Sequence, residues 1–179
     1  VIQKLKNLGF WNNDYFKDGL NIYTCYDAQT QKVLNESIQQ HDSEDEMQIA
    51  GVVLQPFSGK VLAVAGGKDY TTSQYNRIYY SHRQIGSTLK PLLYYLALTD
   101  GFTPSTQFLS QPTSFMLEDG QLYTPSNYNQ VYPDKEISMI HALSVSDNIY
   151  AVKTHLFLGI DQLQGVLQSF HIEEEATAS

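Results

Sequence analysis

The strongest constraint on this chain is a proline. Gly86-Ser87-Thr88-Leu89-Lys90-Pro91 is followed by Leu92-Leu93-Tyr94-Tyr95-Leu96-Ala97-Leu98, seven residues that are all apolar or aromatic. Such a run suits a helix interior. Proline, however, fits a helix only in its first turn, where the amide hydrogen it lacks would have had no partner. The helix must therefore start close to Ser87, and Asp100-Gly101 supplies its stop. Apolar residues on every side predict a helix wrapped by protein rather than one lying on the surface.

The flanking segments read as strands and helices around it. Leu20-Asn21-Ile22-Tyr23-Thr24 alternates as a half-buried strand does. Asp27 stands where a helix N-cap belongs, ahead of an apolar stripe of Val33, Leu34 and Ile38. Residues 49–54 and 61–65 are compact apolar runs on either side of Gln55-Pro56-Phe57-Ser58-Gly59-Lys60, a turn composition. They predict a hairpin buried on both faces and ended by Gly66-Gly67. Residues 102–136 read as extended loops with short strands. Residues 137–158 read as a helix in two pieces, broken around Ser144 to Asn148, and a last helix covers 160–170. Helices packed on a buried strand pair give an α/β (α+β) sandwich. Residues 1–18 read as a linker that follows a missing upstream domain, and 19–179 as the folded portion.

Composition narrows the function classes. With 42% hydrophobic and 17% charged residues the chain is globular. Nineteen acidic against eleven basic residues give a net charge of −8, the wrong sign for a protein that grips phosphate backbones, so no nucleic-acid partner is expected. Part of the excess lies in Glu44-Asp45-Glu46 and Glu173-Glu174-Glu175, which read as solvated segments. Cys25 is the single cysteine, so no internal disulfide can form. The five histidines show no ligand spacing with Cys, Asp or Glu, and neither metal nor cofactor is expected. No apolar run approaches the roughly 18 residues of a membrane span.

Two short motifs can carry chemistry. In Ser87-Thr88-Leu89-Lys90 the serine and lysine fall on one helix face, within hydrogen-bonding reach. A serine hydroxyl needs a neighbouring group to take its proton. A lysine can do so if burial lowers its pKa from about 10.4. Taken alone, the tetrapeptide also describes an exposed helix start, which is the commoner case. Gly86 permits close approach of a ligand, and a helix N-terminus at Ser87 aims backbone N–H groups at an attacked carbonyl. Fifty-nine residues later comes Ser146-Asp147-Asn148, in a predicted break between helices. It reads equally as a helix cap and as a loop pointing a hydroxyl and an amide into a cleft.

With these motifs in this order, the chain resembles the penicillin-binding proteins and serine β-lactamases. Gly66-Gly67-Lys68-Asp69-Tyr70, Tyr75-Asn76-Arg77, Arg83-Gln84-Ile85-Gly86-Ser87 and Asn127-Tyr128 narrow the resemblance to the transpeptidase domain of class A, bifunctional penicillin-binding proteins, from about Gly19 to the end of the chain. The resemblance implies the transpeptidase fold, incomplete here. It implies a D,D-transpeptidase that cross-links peptidoglycan stem peptides ending in D-Ala-D-Ala through a serine acyl-enzyme, with D,D-carboxypeptidase activity beside it, and that is acylated by β-lactams. Ser87 would be the nucleophile and Lys90 its base. Ser146 would relay a proton to the leaving amine, Asn148 would orient Lys90 and a substrate amide, and Tyr128 would line the cleft. The rival readings are a serine β-lactamase and a non-catalytic β-lactam sensor or divisome scaffold.

One departure stands out. The Lys-Thr-Gly strand of the family is missing: Lys153-Thr154 is followed by His155. A fragment lacking the C-terminal part of the domain is the expected explanation, and that part is the first partner the chain needs to fold stably. Cell-wall synthesis or division proteins are further partners that the resemblance implies. It also places the chain at the extracytoplasmic face of the bacterial plasma membrane, anchored by an N-terminal segment outside this sequence.

Overall fold

The computed structural model describes residues 1–10, 21–41, 47–117 and 120–172. The chain divides into two compact units, Val1–Arg83 and Gln84–Ser179. The boundary expected at residues 18–19, and both acidic runs, lie outside the described residues.

In the first unit a short helix, α1 (Ile2–Asn7), occupies part of the segment read as a linker. Helix α2 (Ala28–Gln40) begins where its cap dictates: the Asp27 carboxylate accepts a 2.7 Å hydrogen bond from the Thr30 N–H. Of its expected stripe Ile38 is buried and Leu34 half-buried, while Val33 is exposed. Strands β1 (Gly51–Leu54) and β2 (Val61–Ala65) form the antiparallel hairpin, with Val52 opposite Val64, Val53 opposite Ala63, and a bulge between Val53 and Leu54. Gly59 in its turn has φ +66°, the conformation glycine permits at no steric cost.

Two expectations in this unit are corrected. The hairpin buries one face rather than two: Val52, Leu54 and Val61 are exposed, while Ala63 is buried. Residues 21–24 form no strand and are exposed. Alternation makes a strand only where an edge accepts it, and the outer edge of β2 is taken by other groups. Leu62 O accepts from the Asp27 N–H at 2.9 Å, and the Gln31 carboxamide both donates to Val64 O and accepts from Val64 N, each at 3.0 Å.

Past the hairpin, Gly66 and Gly67 meet helix α3 (Arg77–Tyr80) at close quarters. A Cβ on Gly66 would lie 2.9 Å from the Asn76 Cα, so the site excludes any side chain. The Arg77 N–H and guanidinium both donate to Gly66 O. Here Gly-Gly and Asn-Arg are two halves of one corner.

The second unit carries the larger core. A 3₁₀ turn (Gly86–Leu89) runs into α4 (Lys90–Thr99), with Pro91 in the first turn as steric reasoning requires. Strands β3 (Gln107–Ser110) and β6 (Lys135–Ser138) pair antiparallel, and β4 (Phe115–Met116) pairs with β5 (Leu122–Tyr123). Helices α5 (Met139–Ser144), α6 (Asn148–Leu158) and α7 (Ile160–Ser169) complete the unit, and the break between α5 and α6 falls at 145–147. Leu93, Tyr94 and Ala97 of α4 pack with Tyr150 and Ala151 of α6 and Leu163 of α7. Each fully buried large apolar side chain contributes about 1.5–3 kcal/mol. Tyr94 and Tyr150 meet edge-on, with ring centroids 5.8 Å apart.

Helix α4 is not wrapped all round: Tyr95 and Leu98 are exposed. Burial follows the side that α6 and α7 cover, whatever the apolarity of the rest. Lys153-Thr154-His155 lies inside α6, so its likeness to a Lys-Thr-Gly strand is one of spelling alone. The Lys153 amine donates to Leu109 O, tying α6 to β3.

Candidate active site

Burying a lysine costs several kcal/mol unless its N–H groups find acceptors. Lys90 is 7% exposed, and each N–H finds one. Its amine donates to Ser146 O at 2.6 Å, to Ser146 Oγ at 3.0 Å and to Asn148 Oδ1 at 2.6 Å. Residues 56 and 58 positions away along the chain are thus joined at one nitrogen.

The elements explain the meeting. Lys90 is the first residue of α4, at the junction where the 3₁₀ turn tightens, and its N–H donates to the Ser87 carbonyl. Ser146 sits between α5 and α6 with φ +56°, in the left-handed region that non-glycine residues seldom adopt. From there both its carbonyl and its hydroxyl are directed at Lys90. Because the Ser146 oxygen accepts from the lysine, its own hydroxyl proton remains available to donate.

Ser87 is exposed and lines a cavity of about 520 Å³ together with Lys90, Asn148, Ser126, Tyr123 and His155. Its hydroxyl makes none of the described hydrogen bonds, although a bond to Lys90 was expected from spacing. A charged ammonium is donor-only, and its three hydrogens already point to the 146–148 loop. A neutral amine would release one of those contacts and present a lone pair. Burial favours that state, holding the Lys90 pKa below the ordinary 10.5, with the opposing attraction of the Asp147 carboxylate the smaller influence.

Tyr128, expected to line the cleft, is 86% exposed and absent from the cavity wall. Its neighbours Asn129 and Gln130 both have positive φ, and this turn carries the chain outward just after Asn127 has pointed inward. Tyr123 supplies the phenol at the wall instead.

Sequence reasoning missed the support beneath the loop. Asp147 is 2% exposed. Its Oδ1 accepts from the Tyr150 N–H at 2.8 Å, and its Oδ2 accepts from Ser110 Oγ at 2.6 Å and Asn127 Nδ2 at 2.7 Å. Asn127 Oδ1 accepts from the Asn148 N–H at 2.7 Å, and Asn148 Nδ2 donates to Ser126 O at 2.6 Å. The available signal was an aspartate between two polar motif residues at a helix start, where a carboxylate finds free N–H groups. No group of three or more His, Cys, Asp or Glu suited to a metal occurs among the described residues.

A serine at a helix start and a buried lysine, set against a Ser-Asp-Asn loop, are the arrangement that marks a class, the penicillin-binding proteins and their relatives the serine β-lactamases. The family profile described as "Penicillin binding protein transpeptidase domain" matches residues 49–179, and the chain belongs to that family. Penicillin-binding protein 2D of Bacillus subtilis is 43% identical over 169 residues, covering 93% of this chain and 24% of that protein. The crystal structure of penicillin-binding protein 1A from Haemophilus influenzae superposes with a TM-score of 0.65 at 33% identity, covering 69% of this chain and 18% of that one. Penicillin-binding protein A from M. tuberculosis, solved as a ceftriaxone acyl-enzyme complex, shares the fold at 22% identity and TM-score 0.65, over 92% of this chain and 42% of that one. The α/β transpeptidase architecture is therefore that of the family. The chain spans about a quarter of the length of its Bacillus relative.

Proposed function

We propose that this chain carries the acylation half of a D,D-transpeptidase centre, and that the whole protein cross-links peptidoglycan stem peptides. The observation that carries the reading is the buried Lys90 amine, bonded to Ser146 and Asn148 and sharing a cavity wall with Ser87. Ser87 Oγ attacks the carbonyl between the two D-alanines as its proton passes to neutral Lys90. The C–N bond then breaks, with the leaving amine protonated through Ser146, whose hydroxyl hydrogen is uncommitted. An amine from a neighbouring stem peptide attacks the resulting ester and releases Ser87. β-Lactams enter as mimics of the acyl donor and remain as esters of Ser87. The substrate places the enzyme at the extracytoplasmic face of the plasma membrane. No helix among the described residues is long and apolar enough to cross it.

The test is covalent labelling of the full-length protein by a fluorescent penicillin. Ser87→Ala is expected to abolish the label. A label that survives the substitution would take the nucleophile's role away from Ser87.

A further inference from the structure

The groups that bond Lys90 stand on a loop with an unfavourable backbone conformation, so something must hold that loop in place. Ser146 has φ +56°, and residues 145–147 form no regular element. What lies beneath is a buried polar cluster whose members come from three distant stretches of chain: Ser110 on β3, Asn127 before β6 and Asp147 at the start of α6. Every hydrogen-bonding atom of the Asn127 side chain is engaged. Its Nδ2 donates to Asp147 Oδ2 at 2.7 Å and to Val131 O at 3.2 Å, and its Oδ1 accepts from the Asn148 N–H at 2.7 Å. Ser110 Oγ meets the same Asp147 oxygen at 2.6 Å. Asn127 thus grips the loop at both Asp147 and Asn148, directly after the residue whose two oxygens receive Lys90.

We propose that Asn127, seconded by Ser110, is a positioning residue for acylation, holding the 146–148 loop so that its oxygens meet Lys90. Its side chain is absent from the cavity wall and bonds to Asp147, Asn148 and Val131 rather than to Ser87 or Lys90. Its effect passes through Asp147 and Asn148, which makes it a residue of mechanism as well as of fold. The proposal takes for granted that Lys90 serves as base to Ser87. Of the titratable groups, the Asp147 carboxylate, which caps α6, acts on that amine; Tyr94 on the same helix as Lys90 interacts with Asp147 and with Tyr150 of α6, and Tyr123 and His155 share the cavity wall.

The test measures the rate of fluorescent-penicillin acylation of the full-length protein across pH, at a temperature where circular dichroism shows each variant folded. Ser87→Ala comes first: a surviving label overturns the nucleophile assignment and this proposal with it. Given a silent Ser87→Ala, Asn127→Ala is expected to acylate on the order of 10- to 100-fold more slowly, with its pH midpoint displaced from the wild-type value. Asp147→Asn, which removes the charge that favours the ammonium, is expected to move the midpoint to lower pH. Folded Asn127→Ala that keeps both the wild-type rate and the wild-type midpoint overturns the positioning role while leaving Ser87 and Lys90 in place. Should Asn127→Ala not fold, Ser110→Ala, which takes one donor from the same carboxylate oxygen, is judged by the same two criteria, with an expected loss of about tenfold.

Discussion

The two units solve the problem of burial differently. Among the described residues, 1–83 bury only Ile38 and Ala63 of their apolar side chains, while 84–172 bury eleven, from Leu93 to Leu167. The five buried polar residues among those described, Lys90, Ser110, Asn127, Asp147 and Thr154, also belong to the second unit. The first unit relies on backbone fit, as where Gly66 admits Asn76 with no room for a side chain. The second relies on a core deep enough to desolvate an amine and to pair what it desolvates. Chemistry that needs a lysine below its ordinary pKa can be built only in the second.

Substitutions in the two units can break this contrast. The largest expected effect is on acylation: Lys90→Ala should slow it by about a thousandfold or more, measured by penicillin-labelling kinetics, with the circular dichroism spectrum unchanged. A wild-type rate would assign the base elsewhere. The wild-type protein should acylate faster as pH rises, through a midpoint below 10.5, because the reactive amine is the neutral one. The same depression has a sign for stability. Between that midpoint and 10.5 the unfolded chain holds more protons than the folded one, so the denaturant midpoint should increase with pH in that window.

Core truncations sharpen the contrast next. Ile149 is wholly buried in the second unit, and Ile149→Ala should cost about 2–5 kcal/mol in denaturant unfolding of the full-length protein. Val52, exposed on the hairpin, should tolerate Val52→Ala within about 0.5 kcal/mol. Equal losses would mean that the two units are buried alike. The smallest effect concerns Tyr94, whose buried hydroxyl has no hydrogen-bond partner among the described residues and whose pKa is raised chiefly by burial, with Tyr150 and Asp147 adding to it. Tyr94→Phe should leave stability unchanged or raise it by about 1 kcal/mol, since it removes an unpaired polar group and keeps the ring packing. A loss of several kcal/mol would reveal a partner for that hydroxyl.

Local rules made part of this legible beforehand. Pro91 located the start of α4, Asp27 capped α2, and the break near Ser146 separated two helices, because each depends on neighbours within a turn. Rules that depend on what lies opposite did worse. The alternation at 20–24 met an edge already occupied, and the all-apolar α4 found cover on one side only. At the site, Ser87, Lys90, Ser146 and Asn148 were named from two short motifs. Asp147 received no role of its own, because its partners Ser110 and Asn127 stand 37 and 20 residues away. Nothing in linear spacing joins them. Packing does: β3 brings Ser110 to Asp147, and the chain ahead of the 128–130 turn brings Asn127.

The carboxamide of Gln31 has a consequence for how a larger sheet could be assembled. With its two bonds to Val64, and Asp27 bonded to Leu62, the hairpin is sealed along one border as a strand would seal it, but by groups that offer no ladder onward. Growth of this sheet is thereby one-directional: an incoming strand can dock only alongside β1, and sticky self-association through the opposite border is blocked by one side chain and one backbone amide.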